Sequence, residues 1–210
     1  MVKHKRYQAS KGNDNLSLRE KILEYLIKNK EKAKTIREIS KYLNVDYKNT
    51  FQAIKKIYPS LISKDKIGSS NLVKIKLTPS QDIFSIEHKR TTKFLERNKP
   101  LKLIQEDITS IGYPFLIILI FGSYAKETKN GKSDIDLCII CDNEIKKKEL
   151  ISKLSLLPIK LEIHDFKVSE FGSMLEVKKE NIAKEIIKNN IILYGIENYY
   201  NLISKWTEKE

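Results

Sequence analysis

Residues 115–121, Phe-Leu-Ile-Ile-Leu-Ile-Phe, are the longest uninterrupted apolar run in the chain, and they stop abruptly at Gly122-Ser123. A run without polar alternation cannot lie on a half-solvated sheet, so it predicts a short strand buried on both faces. It is far too short to cross a bilayer, which takes about 20 apolar residues. Ten residues after the serine, Ser133-Asp134-Ile135-Asp136-Leu137 opens a second strand with two aspartates spaced i, i+2. That spacing puts both carboxylates on one strand face, where they repel each other unless a cation lies between them. Glycine lets a phosphate approach the backbone, and the serine hydroxyl with the exposed N–H groups of a following helix can bind it. Mg²⁺ takes carboxylate and phosphate oxygens together. A phosphate grip and a carboxylate pair at adjacent strand ends therefore predict one nucleotide site.

These residues resemble the polymerase-β-type nucleotidyltransferase superfamily, in particular its minimal, antitoxin-like prokaryotic members. The signature there is Gly-Ser, ten residues, then Asp-x-Asp, and Gly122-Ser123 with Asp134-x-Asp136 keeps that spacing. The superfamily takes a third carboxylate from an apolar-acid-apolar triplet on a neighbouring strand, which Leu161-Glu162-Ile163 matches. Relatives usually carry a glycine after the basic residue of the first motif, where this chain has Glu127 after Lys126. Over about residues 99–210 the resemblance implies an α/β (α+β) nucleotidyltransferase fold, a small mixed sheet with flanking helices. It implies that Asp134, Asp136 and Glu162 are catalytic and hold two Mg²⁺ ions, and that Gly122, Ser123 and Lys126 bind the nucleotide. The activity implied is transfer of a nucleotide, AMP foremost, from ATP or another NTP to a macromolecular acceptor such as a partner toxin.

The strand carrying the third acid, "IKLEIHDF", holds a second one, Asp165. Successive side chains alternate faces, so Glu162, His164 and Phe166 point one way and Leu161, Ile163 and Asp165 the other. Burying Leu161 and Ile163, at about 1.5–3 kcal/mol each, favours Glu162 as the acid facing the metals. His164 shares that face with Glu162 and can lie near the site, although an isolated histidine is usually structural.

Charge divides the chain. Residues 1–100 hold 24 Lys and Arg against 10 Asp and Glu, a net of +14, while residues 101–210 hold 16 against 17, a net of −1. Lys and Arg displace the counterions condensed on phosphates, so the first half suits nucleic acid. Residues 1–16 have no periodicity and read as a disordered basic tail. Ser17 with Glu20 and Thr35 with Glu38 form capping boxes, each followed by a helical apolar stripe, and Asp46 can cap a third helix. On that helix Phe51, Ile54, Ile57 and Tyr58 fall on one side, and Lys48, Asn49, Gln52, Lys55 and Lys56 on the other. Gly68-Ser69-Ser70-Asn71 makes a turn, after which Val73, Ile75 and Leu77 alternate with Lys74 and Lys76 as in a half-buried strand. Three short helices and a basic hairpin over residues 17–78 resemble a winged helix-turn-helix domain. The resemblance implies duplex DNA as partner, with Lys48, Asn49, Gln52, Lys55, Lys56 and the hairpin's Lys74 as contacts. Residues 79–98 read as a helix that links the units or pairs two copies into a homodimer.

Cys138 and Cys141 form a Cys-x-x-Cys, but on a strand an i, i+3 pair points to opposite faces, so both are expected in the core rather than on zinc. The N-terminus lacks an apolar leader core, so a cytoplasmic location with no membrane contact is expected. Two rival readings stand beside nucleotide transfer. One is a DNA-binding regulator whose nucleotidyltransferase fold is inert or only senses nucleotide, and the other an RNA-modifying transferase.

Overall fold

A computed structural model of the chain describes residues 16–68, 70–128 and 133–207. The tail expected over residues 1–16 thus lies outside the described residues, apart from Leu16. Two compact units divide between Lys76 and Leu77.

The first unit opens with α1 (Leu18–Lys28), where the Ser17 hydroxyl accepts from the Glu20 N–H and the Glu20 carboxylate accepts from the Ser17 N–H at 2.8 Å. The same reciprocal pair, Thr35 with Glu38, follows strand β1 (Lys34–Thr35) and starts α2 (Ile36–Leu43). Each box satisfies N–H groups that a helix start leaves unpaired. Helix α3 (Tyr47–Ile57) starts on Asp46, whose carboxylate accepts from the Lys48 and Asn49 N–H groups. Its buried side consists of Thr50, Ile54 and Ile57, with the Thr50 hydroxyl donating to the Asp46 carbonyl at 3.0 Å. Tyr58, expected on that side, instead caps the helix with extended backbone and is exposed. The cause is Pro59, whose ring disfavours helical backbone in the residue before it. Strands β2 (Ile62–Ile67) and β3 (Ser70–Ile75) form an antiparallel hairpin, and β1 pairs with the other edge of β3. Val73 and Ile75 are buried and Lys74 is exposed, as alternation requires, while Leu77 lies beyond the strand.

The second unit begins well before residue 99. Helix α4 (Gln81–Arg97), which the sequence suggested as a linker, is part of this unit. It buries Ile83, Ile86, Phe94 and Leu95, and the Thr91 hydroxyl donates to the Ile192 carbonyl at 2.7 Å. A helix tied by buried hydrogen bonds to a strand backbone is a piece of the domain, not a spacer between two. A 3-10 turn (Lys99–Leu101) and α5 (Lys102–Ser110) lead to β4 (Ile117–Ile120), the short α6 (Gly122–Ala125) and β5 (Ile135–Ile140). Then come α7 (Glu144–Leu154), β6 (Leu161–Phe166), α8 (Val168–Glu176), α9 (Ile182–Lys188), β7 (Ile191–Tyr194) and α10 (Ile196–Thr207).

The sheet order is β6-β5-β4-β7, mixed as expected: β5 and β6 are parallel and the other pairs antiparallel. A parallel pair needs a long crossover, and α7 provides it. Helices α5 and α7 lay Ile104, Ile108, Leu150 and Leu154 in one core with Ile118, Ile120, Leu137 and Ile139. Both cysteines are buried and free; Cys141 joins this core, and Cys138, between Leu137 and Ile139 on the strand, faces the other way. Tyr199 and Tyr200 of α10 are wholly buried, so the C-terminal aromatics serve as core. Among the described residues no helix is long and apolar enough to cross a membrane.

Candidate functional site

The turn after β4 and the start of β5 are locked together. The Phe121 N–H donates to the Asp136 carbonyl at 3.0 Å, which brings Gly122 against the Asp136 side chain. Gly122 has φ +63, and a Cβ placed there would meet Asp136 Oδ2 at 1.8 Å. Glycine is required twice, for the left-handed backbone and for the space the carboxylate fills. The Ser123 N–H lies near enough to that carboxylate to favour its charged form.

Register brings in the neighbouring strand. Asp136 of β5 pairs with Glu162 of β6, and Cys138 with His164. Asp136, Glu162 and His164 each offer a ligand atom, and these atoms all lie within 4.8 Å of one another. His164 Nε2 is 3.2 Å from Glu162 Oε1, and its ring stands edge-on to Phe121 with centroids 5.4 Å apart. The histidine therefore belongs to the cluster. Its signal in the sequence is the i, i+2 spacing from Glu162, which puts both on one strand face.

Burial, and then the Glu162 charge, raise the Asp136 carboxyl above its ordinary pKa, against opposing effects of His164 and the Ser123 N–H. A folded state that keeps its proton to higher pH than the unfolded chain loses stability as pH rises across that interval. Without metal, stability should accordingly fall as pH climbs from the ordinary aspartate range through the raised one. Asp136→Asn should flatten that slope and raise the melting temperature at neutral pH. Melting curves of both proteins in chelator, collected from pH 4 to 8, check this; an unchanged slope would remove the strain from Asp136.

The other expected residues lie as follows. Asp134 is exposed, precedes β5 and is not part of the three-residue cluster. Lys126 ends α6 with its ammonium 2.9 Å from the Glu185 carboxylate, both partly exposed. Glu127 has φ +56, the left-handed backbone that a glycine adopts without strain, and its carboxylate is 3.5 Å from Arg97. Glu127 thus keeps the glycine-like turn at a cost of about 1–2 kcal/mol. Asp165 points away from the cluster, to Lys147 of α7 at 2.7 Å.

In the first unit, Lys48, Asn49, Gln52, Lys55 and Lys56 are all exposed on α3, as is Lys74 on β3. Lys64 of β2 joins them, its ammonium 5.6 Å from the Phe51 ring centroid. Tyr47 is also exposed and stacks on Phe51 at 6.3 Å. Neither Lys64 nor Tyr47 stood out in the sequence, because only the hairpin's fold brings Lys64 over the helix.

Two carboxylates and an imidazole at ligand spacing, with the Asp136 carboxylate seated against the Gly122 turn, fit a divalent cation. A family model for polymerase β nucleotidyltransferases matches residues 106–199, which span β4 through β7 and hold the whole cluster. A Methanocaldococcus jannaschii protein, provisionally named a protein adenylyltransferase, is 30% identical over 98 residues, 44% of this chain and 70% of the relative. Among solved structures, a toxin–antitoxin crystallised with AMP-PNP aligns at 22% identity and a TM-score of 0.34, over 50% of this chain and 85% of that one. With its sheet, its Gly-Ser turn and its strand-borne acids set against the family model and the M. jannaschii relative, the chain belongs to the polymerase β nucleotidyltransferase family.

Proposed function

We propose that the second unit transfers AMP from ATP to a hydroxyl group on a protein, and that the first is a winged helix-turn-helix that binds duplex DNA. The observation that carries the transferase reading is the meeting of the Asp136 and Glu162 carboxylates beside the Gly122-Ser123 turn. The name of the M. jannaschii relative supports both the adenylyl group and the protein acceptor.

In this reading Asp136 and Glu162 hold the metal, with Asp134 joining them on the strength of its spacing. These residues would hold a divalent cation, which would supply positive charge to offset that of the triphosphate. Gly122 and Ser123 present backbone N–H groups and a hydroxyl to the outer phosphates, and Lys126 exchanges Glu185 for phosphate. The acceptor oxygen forms a bond to the α-phosphorus while the α–β phosphoanhydride bond breaks. Pyrophosphate leaves, and the hydroxyl proton passes to solvent. The test is incubation with ATP labelled at the α- or γ-phosphate, Mg²⁺ and host lysate. Protein label that depends on adding this chain should come from α-labelled ATP and not from γ-labelled ATP, and vanish in Asp136→Asn; added-chain-dependent label from γ-labelled ATP, or α-label that survives the substitution, would refute adenylyl transfer.

The helix–strand–helix–helix–hairpin order of the first unit, with β1 on the far edge of the hairpin, supports the winged-helix reading. So does the exposed basic face of α3. On duplex DNA the affinity of the full chain should fall steeply with salt, and Lys55→Gln with Lys56→Gln should lower the slope of log K against log[salt] by about 2. Fluorescence anisotropy at several salt concentrations measures it. A slope unmoved by the double substitution would place DNA elsewhere or nowhere.

A further inference from the structure

We propose that His164 is itself a metal ligand, so that the site prefers a first-row transition cation such as Mn²⁺ over Mg²⁺. The inference rests on the transferase site proposed above and specifies its metal chemistry. An octahedral ion about 2.1 Å from its ligands holds neighbouring donors about 3 Å apart. His164 Nε2 and Glu162 Oε1 stand at 3.2 Å, which is the separation of two adjacent ligands. Asp136 closes the set, since a ligand atom from each of the three residues lies within 4.8 Å of the others.

The placement is fixed from several directions. Parallel pairing of β5 with β6 sets Glu162 opposite Asp136 and His164 two residues further on the same face. Phe121 stands edge-on against the imidazole and limits its swing. Missing side-chain atoms at Gly122 leave the Asp136 carboxylate room against the turn. Selectivity then follows from donor type. Mg²⁺ takes oxygen ligands in a strict octahedron, whereas transition ions accept imidazole nitrogen beside carboxylate. Carboxylate oxygens from Asp136, Glu162 and Asp134 with one nitrogen from His164 would still leave coordination positions for phosphate oxygens.

A histidine that only steadied Glu162 would stand at the same distance, so the test must see the metal–nitrogen bond. Mn²⁺ is titrated into the full chain and followed by electron paramagnetic resonance, with echo-envelope modulation reporting directly bound nitrogen; Mg²⁺ affinity is read by competition. Expected are a nitrogen coupling in the native chain and Mn²⁺ affinity about tenfold or more above that for Mg²⁺. His164→Gln should abolish the coupling and weaken Mn²⁺ by about tenfold or more, while changing Mg²⁺ by less than about threefold. The spectrum of the native chain decides the question even if the variant folds poorly. Mn²⁺ that binds with oxygen ligands only, and is lost in Asp136→Asn, would overturn the role of His164 and leave the transferase reading standing. Mn²⁺ binding that is absent, or indifferent to Asp136→Asn, would overturn both.

Discussion

Glu162→Gln should cut nucleotide transfer by at least about a hundredfold, or roughly 2.7 kcal/mol of barrier, while leaving ATP binding largely intact. The substitution keeps size but removes the charge and turns one acceptor oxygen into an NH2 donor, at a position opposite Asp136 in the β5–β6 register. Outer phosphates are held by Gly122, Ser123 and Lys126 in the proposed mechanism, so the ground-state complex survives the change. What is lost is charge stabilisation that matters only as the α-phosphorus is attacked. Asp165→Asn is the matched control, since Asp165 faces away to Lys147 at 2.7 Å. It should change transfer by less than about threefold, the size of effect expected of a residue that touches no reacting group. Single-turnover assays with both variants decide, and the reverse ranking would overturn the assignment of the third acid.

Glu87→Ala should destabilise the second unit by about 3–5 kcal/mol, a large share of the total stability of most domains. Glu87 is fully buried, and its two oxygens accept from Arg90 Nη1 and from the Tyr200 hydroxyl. Arg90 also donates to the Asn190 carbonyl at 3.0 Å, and Asn190 donates to the Tyr199 hydroxyl at 2.7 Å. Removing the carboxylate strands a guanidinium inside the protein, whose Nε already has no hydrogen-bond partner among the described residues. The cost comes from the orphaned charge rather than from a strongly favourable pair. Replacing both residues with methionine should therefore recover most of the loss. Urea unfolding of the single and double variants measures the difference; a double variant as unstable as Glu87→Ala would show that the ion pair itself stabilises the fold.

Much of the architecture is legible without coordinates because its causes are local. Ser17 with Glu20 and Thr35 with Glu38 close hydrogen bonds across three residues, so the helix starts follow from the residues alone. The unbroken apolar run that becomes β4 and the alternation of Val73, Lys74 and Ile75 are likewise set by burial, and the two-residue strand period puts Glu162 and Asp165 on opposite faces of β6. Where the sequence misleads, a distant partner decides. Helix α4 carries Glu87, Arg90 and Thr91, which look like solvated linker residues until Tyr200, Asn190 and Ile192, about a hundred positions away, satisfy them in the interior. Tyr58 leaves the buried face because the residue after it is a proline. At the site, spacing pairs Asp134 with Asp136, yet the tertiary structure groups Asp136 with Glu162 and His164 and leaves Asp134 exposed ahead of the strand. Faces along one strand follow from covalent geometry, but which strands lie side by side, and in what register, depends on packing the entire sheet, and that register is what brings an imidazole to the two carboxylates.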